Sequence, residues 1–128
     1  MAHILIVDDD PLLLRVLQFW LTDAGYTVTT HTAPAPALAD LAGTAYDLLI
    51  LDLMLPEIDG LELCRQIRQT ATTPILLLSA APLAVYQAAA RAAGADACVG
   101  KPVTPETLLA QVATLVAQGR SGGAGSAR

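Results

Sequence analysis

The chain has 128 residues, 54% of them hydrophobic, and its 12 acids against 7 Lys and Arg give a formal charge of −5. That length supports one domain with a real core and leaves no room for a second, while the acidic balance gives it no electrostatic reason to approach nucleic acid directly. No apolar run approaches the ~20 residues of a membrane-spanning helix, and the opening Met1-Ala2-His3 lacks the basic start and small-residue cleavage site of a secretion signal, so a cytoplasmic protein away from membranes is expected.

The first predicted strand is Ile4 to Val7, followed by Asp8-Asp9-Asp10 and a helix that should begin at Pro11, with Asp10 as its cap. Leu13, Leu17, Trp20, Leu21 and Ala24 recur at helical spacing on one face, and Gly25 ends the helix. Strands follow at Thr27 to His31, Asp47 to Leu51, Pro74 to Leu78 and Ala97 to Gly100. Between and after them lie helices at about Pro34 to Ala42, Gly60 to Gln69, Leu83 to Ala93 and Pro105 to Ala117. Thr104-Pro105-Glu106 gives the last helix a cap, a first-turn proline and a first-turn acid.

Runs such as Leu48-Leu49-Ile50-Leu51 and Ile75-Leu76-Leu77-Leu78 are apolar throughout, as strands of a parallel sheet covered on both faces must be. The order is βα five times, an α/β domain over residues 1–118. Residues 119–128, with four Gly and two Ser, have no apolar periodicity and read as a flexible linker or tail. Cys64 and Cys98 fall in different elements and form no paired framework, which fits reduced thiols.

Asp8-Asp9, Asp52, Ser79 and Lys101 each follow a short apolar run. The carboxyl ends of parallel strands lie along one edge of a sheet, so these separated groups should converge. Taken singly, each has a plain reading as a turn acid, a loop serine or a surface lysine. Together they describe a pocket in which clustered carboxylates repel one another unless protonated or bridged by a cation. An all-oxygen set favours a hard ion, and Mg²⁺ pairs naturally with phosphate oxygens.

Asp52 is flanked by Leu on both sides, unlike an ordinary turn aspartate, and a carboxylate so placed can act as nucleophile in phosphoryl transfer. A hydroxyl at Ser79 can donate to a phosphoryl oxygen, and the Lys101 ammonium can serve as counter-charge before transfer and as phosphate ligand after it. Pro102 holds Lys101 extended, and prolines at such turns are often cis. Met54, two residues past Asp52, has no proton to give, which counts against a Mg²⁺-dependent hydrolase built on the same aspartate.

Four stretches carry a resemblance: Ile4-Leu-Ile-Val-Asp8-Asp9-Asp10-Pro11, Asp47-Leu-Leu-Ile-Leu-Asp52-Leu-Met-Leu-Pro56-Glu-Ile-Asp-Gly60, Pro74-Ile-Leu-Leu-Leu-Ser79-Ala80, and Gly94-Ala-Asp-Ala-Cys-Val-Gly-Lys101-Pro102. From about His3 to Ala117 the chain resembles the receiver domains of two-component response regulators. The resemblance implies a flavodoxin-like (βα)5 three-layer sandwich with strand order 2-1-3-4-5. It implies that Asp52 accepts a phosphoryl group from a sensor histidine kinase or a histidine phosphotransfer protein. Asp9, Asp52 and the backbone carbonyl of Met54 would bind Mg²⁺, with Asp8 contributing directly or through water. Ser79 and Lys101 would hold the phosphoryl oxygens, and Asp59-Gly60 would shape the turn into the third helix. Such a domain is a switch for a partner or output domain, not a turnover enzyme on an external substrate.

Cys98 stands three residues before the lysine, where the family usually has Tyr or Phe, so the usual aromatic reporter is replaced by a small residue. We read Cys98 as a small buried residue in preference to a redox sensor. Ala97 and Gln111 stand where the dimerising members usually carry an acid and an Arg, which weakens a homodimer through helix 4, strand 5 and helix 5. Neither Met54 nor Ala81 can hold an attacking water by a side-chain hydrogen bond, so a long-lived phosphorylated state is expected. The alternative from another class is a receiver-like interaction module that works without phosphorylation.

Overall fold

Strands that are apolar at every position need both faces covered, and short crossover helices can supply that cover only to a parallel sheet. The computed structural model, which describes residues 2–126, has this architecture. In chain order the elements are β1 (His3–Val7), α1 (Pro11–Asp23), β2 (Thr27–His31), α2 (Pro34–Gly43), β3 (Leu48–Asp52), α3 (Gly60–Arg68), β4 (Ile75–Ser79), α4 (Leu83–Ala93), β5 (Ala97–Gly100) and α5 (Pro105–Ser126). All neighbouring strands pair in parallel, in the order β2-β1-β3-β4-β5. The fold is the flavodoxin-like (βα)5 sandwich.

Side chains alternate across a strand, so each strand feeds two cores. Ile4, Ile6, Leu48, Ile50, Leu76 and Leu78 meet Leu14, Leu17 and Leu21 of α1 and Leu108, Val112, Leu115 and Val116 of α5. Leu5, Val7, Leu49, Leu51, Ile75 and Leu77 meet Ala37 of α2, Leu63, Cys64 and Ile67 of α3, and Ala90 and Ala93 of α4. β1, β3 and β4 have a strand on each side and are buried, while β2 and β5, at the edges, are only partly so.

Asp10 caps α1 as expected, accepting from the N–H groups of Leu12 and Leu13. The buried stripe of α1 is Leu14, Leu17 and Leu21, with Leu13 and Trp20 packed at its margin and Ala24 exposed. The expected face is therefore the buried one for Leu13, Leu17, Trp20 and Leu21, with its centre shifted towards Leu14 and its last member, Ala24, left in solvent.

The expected boundary between domain and tail, at residue 118, falls inside a helix. α5 continues to Ser126. At Gly119 an added Cβ would come within 2.5 Å of Pro74 Cγ, so the helix still lies against the loop before β4 at that point. Residues 127–128 of the expected tail lie outside the described residues.

Two polar clusters tie the layers together. Asp40 of α2 accepts from the Tyr46 hydroxyl at 2.8 Å and sits 2.9 Å from His31 Nε2, and these contacts, His31 first, hold its carboxyl below the usual carboxylate range. Arg68, at the end of α3, donates to the carbonyls of Gly94, Ala71 and Thr73 and to Asp96, while Asp96 also accepts from the Ile75 N–H. One guanidinium thus joins α3, the loop before β4 and the loop before β5.

Candidate functional site

The strand order reverses beside β1: the chain crosses from β1 to β2 over one face and from β3 to β4 over the other. α1 and α3 therefore diverge, and a crevice opens at the carboxyl ends of β1 and β3. Asp8 follows β1 directly, and its N–H extends the β1 to β2 ladder by donating to the His31 carbonyl. Asp52 is the last residue of β3, paired with Leu78, one position later than the strand end expected from sequence.

Asp8, Asp9 and Asp52 each bring a carboxylate oxygen within 4.8 Å of the others. Asp8 is fully buried, Asp52 is 4% exposed, and Asp9 faces solvent. Lys101 reaches in from the loop after β5, with Nζ 2.8 Å from Asp8 Oδ2 and 3.2 Å from Asp52 Oδ1. One ammonium thus faces three carboxylates. Burial, and then the charge of Asp8, push the Asp52 carboxyl above its usual pKa against the opposing pull of Lys101. For Lys101, burial alone would lower the pKa, but hydrogen bonding and attraction from Asp8 and Asp52 raise it on balance.

The backbone shapes this cluster. Asp8 Oδ1 accepts from the Asp10 N–H at 2.9 Å, and Asp52 Oδ1 accepts from the Met54 N–H at 3.3 Å. Met54 itself is 60% exposed, leaving its backbone, not its thioether, beside the site. Asp59 caps α3 through the Glu62 N–H. At Gly60 any Cβ would lie 2.5 Å from the Asp52 carbonyl oxygen, so the first residue of α3 rests on the peptide of the central aspartate.

Ser79 ends β4, one residue past the Leu78 that pairs with Asp52, and is fully buried. Its hydroxyl donates to the Ala81 carbonyl at 3.0 Å and accepts from the Ala81 N–H at 3.1 Å. The Lys101 N–H donates to the Ser79 carbonyl, and the Lys101-Pro102 bond is cis. The structure thus puts Lys101 in direct contact with Asp8 and Asp52, with an Asp9 carboxylate oxygen within 4.8 Å of theirs, and turns the Ser79 hydroxyl to its own loop. The local turn at Ser79-Ala80-Ala81 was invisible in the sequence, since any Ser can close such a turn and few do.

Burial pushes the Cys98 thiol above its usual pKa, and Cys98 is half-buried against the layer of α3 and α4. Cys64 is fully buried, and both cysteines are free. Neither has the depressed pKa of a reactive thiol. Among the described residues no helix is long and apolar enough to cross a membrane.

A family model described as the response regulator receiver domain matches residues 4–113. The chain is 44% identical over 112 residues to Response regulator ArlR of Staphylococcus epidermidis, an alignment covering 88% of this chain and 51% of that protein. It therefore spans about half the length of the curated relatives it matches. Among solved structures, a two-component response regulator from Clostridium difficile superimposes with a TM-score of 0.87 at 28% identity, covering 91% of this chain and 96% of that one. Chemotaxis response regulator CheY4 of Vibrio cholerae gives a TM-score of 0.85 at 32% identity, covering 90% and 98%.

Proposed function

The chain belongs to the response regulator receiver domain family, and from that premise we propose that Asp52 is its phosphoacceptor and that phosphorylation there controls a partner or output domain. The observation that carries this reading is the buried Asp52 carboxyl held between one ammonium and two further carboxylates. In the proposed transfer an Asp52 oxygen attacks the phosphorus of a phosphohistidine on a sensor kinase or phosphotransfer protein. The P–N bond breaks, the imidazole leaves, and an acyl phosphate forms. Lys101 then bonds the incoming phosphoryl oxygens, and Ser79 does so once its hydroxyl leaves Ala81.

The donor set fits Mg²⁺. It is all oxygen, its three carboxylates are close enough to share one ion, and their excess negative charge over Lys101 favours a divalent cation. Asp9, Asp52 and the Met54 carbonyl would hold it, with Asp8 direct or through water. When bound, Mg²⁺ supplies neutralisation of charge on the transferring phosphoryl group. The same site would release the phosphoryl group to water slowly, making the domain its own phosphatase and not an enzyme of external substrates. We assign it to the cytoplasm, with the Gly, Ser and Ala-rich stretch from 119 onward as the junction to an output region of the kind that the length of its relatives leaves room for.

The test is intact-mass analysis after incubation with Mg²⁺ and a small phosphodonor such as acetyl phosphate. One phosphoryl adduct is expected, absent without Mg²⁺ and absent in Asp52→Asn. An unmodified wild-type chain, with small donors and kinase alike, would favour an interaction module that works without phosphorylation.

A further inference from the structure

Helix α2 reads Pro-Ala-Pro-Ala-Leu-Ala-Asp-Leu-Ala-Gly, so Asp40 is its one polar side chain. The helix has no side-chain cap at Ala33, and its buried residues are Pro34 and Ala37, so its apolar hold on the sheet is slight. Asp40 supplies a polar one. Its Oδ2 lies 2.9 Å from His31 Nε2 and accepts from the Tyr46 hydroxyl at 2.8 Å, and the Thr44 side chain bonds the same carboxylate.

His31 is the last residue of β2, an edge strand that pairs with β1 alone. Its side chain is held by Asp40, while its backbone carbonyl accepts from the Asp8 N–H at 3.1 Å. One residue thus joins α2 to the backbone of a carboxylate in the acidic crevice. Asp8 is fully buried and its Oδ1 is tied to the Asp10 N–H, so a shift of the Asp8 peptide carries over to the oxygens that a cation would meet. Groups that orient ligands from behind tune the affinity of a metal site. We propose that Asp40 is a positioning residue for the Mg²⁺ site, acting through His31 on the Asp8 peptide, and that Mg²⁺ in turn steadies α2. The proposal rests on the reading of Asp8, Asp9 and Asp52 as Mg²⁺ ligands. Its second half follows from its first, because a coupling between two sites is reciprocal.

The test titrates Mg²⁺ into the full chain, following the amide shifts of Asp9, Asp10 and Met54 and the hydrogen exchange of the α2 amides from Leu38 to Ala42. In the wild type the shifts should saturate and exchange in α2 should slow. Asp40→Ala and His31→Leu should each raise the Mg²⁺ dissociation constant about threefold to tenfold, less than the ~10–100-fold of losing a direct outer partner. Each should also abolish the slowing in α2. The double variant should bind no more weakly than either single one, since the two residues act as a unit. Asp40→Asn, which keeps an oxygen acceptor, should recover most of the affinity. Val116→Ala, which opens a cavity in the layer of α1 and α5, should lower stability and leave Mg²⁺ affinity at the wild-type value. That contrast separates positioning from plain loss of stability. Unchanged Mg²⁺ affinity in Asp40→Ala and His31→Leu, or an equal loss in Val116→Ala, would overturn the proposal. A wild-type chain with no saturable Mg²⁺ response would instead refute the ligand reading, and the proposal with it.

Discussion

At the amino end of the sheet Arg68 meets one carboxylate and three carbonyls, whereas at the carboxyl end Lys101 meets Asp8 and Asp52 with Asp9 alongside. In the first cluster one positive charge faces one negative charge, and the remaining guanidinium donors find backbone acceptors. In the second, one positive charge faces three negative charges in a site where Asp8 and Asp52 have almost no solvent. The two clusters have similar contact distances, so distance does not separate them; charge balance does. A matched cluster closes the fold, and a mismatched one leaves an excess of negative charge that a bound cation would offset.

The comparison breaks most directly at Arg68. Arg68→Ala should lower unfolding free energy by about 2 kcal/mol in urea titrations, because Asp96 and three carbonyls lose a charged donor at once. Added Mg²⁺ should not restore it. Lys101→Met should cost somewhat less, about 1–2 kcal/mol at neutral pH without Mg²⁺, and Mg²⁺ should recover part of the loss. Because the Lys101 pKa is raised in the fold, its contribution is complete below the ordinary lysine value of 10.5 and fades as pH climbs through the folded value. Wild-type stability should therefore fall in that alkaline range, and the Lys101→Met chain should lack that component.

Asp52→Asn should act in the opposite direction. A carboxyl whose folded pKa is raised penalises the fold once it ionises, so the penalty is absent below the ordinary aspartate value of 3.8 and full above the folded pKa. Neutralising it should stabilise the Mg²⁺-free protein at pH 7, with the gain shrinking as pH falls towards 3.8. A loss of stability at pH 7 would mean that Lys101 outweighs burial and Asp8. The smallest expected effect is kinetic: with Met54 and Ala81 unable to orient water, the purified phosphoprotein should persist for minutes, and decay within seconds would refute that reading.

The crevice was legible in the sequence because strand ends announce themselves: an apolar run that stops at an acid, a Ser or a Lys in a βα repeat must stop along the same edge. That logic gathers Asp8, Asp9, Asp52, Ser79 and Lys101; the structure brings the three acids and Lys101 together, while Ser79 reaches the same edge with its hydroxyl turned to Ala81. The Arg68 cluster was not legible. It depends on loops 26 and 28 residues away, and no local pattern marks Arg68 among the other cations. On α1 the spacing identified Leu17 and Leu21 but not Leu14, because Leu12, Leu13 and Leu14 fit several helix phases and only packing selects among them. The end of α5 was set too early because glycine argues locally against helix, whereas at Gly119 the lack of a side chain is what lets the helix lie on Pro74.

Gly60 has a mechanical consequence. With the space for a Cβ at Gly60 already taken by the Asp52 peptide, and the Gly60 N–H donating to the Leu53 carbonyl at 2.7 Å, the strand end and the helix start form one close joint. A displacement of the Asp52 peptide cannot be absorbed by a rotating side chain there; it becomes a push on the axis of α3. Arg68 anchors the far end of the same helix, so that helix works as a strut, seated on Asp52 at one end and pinned by Arg68 at the other.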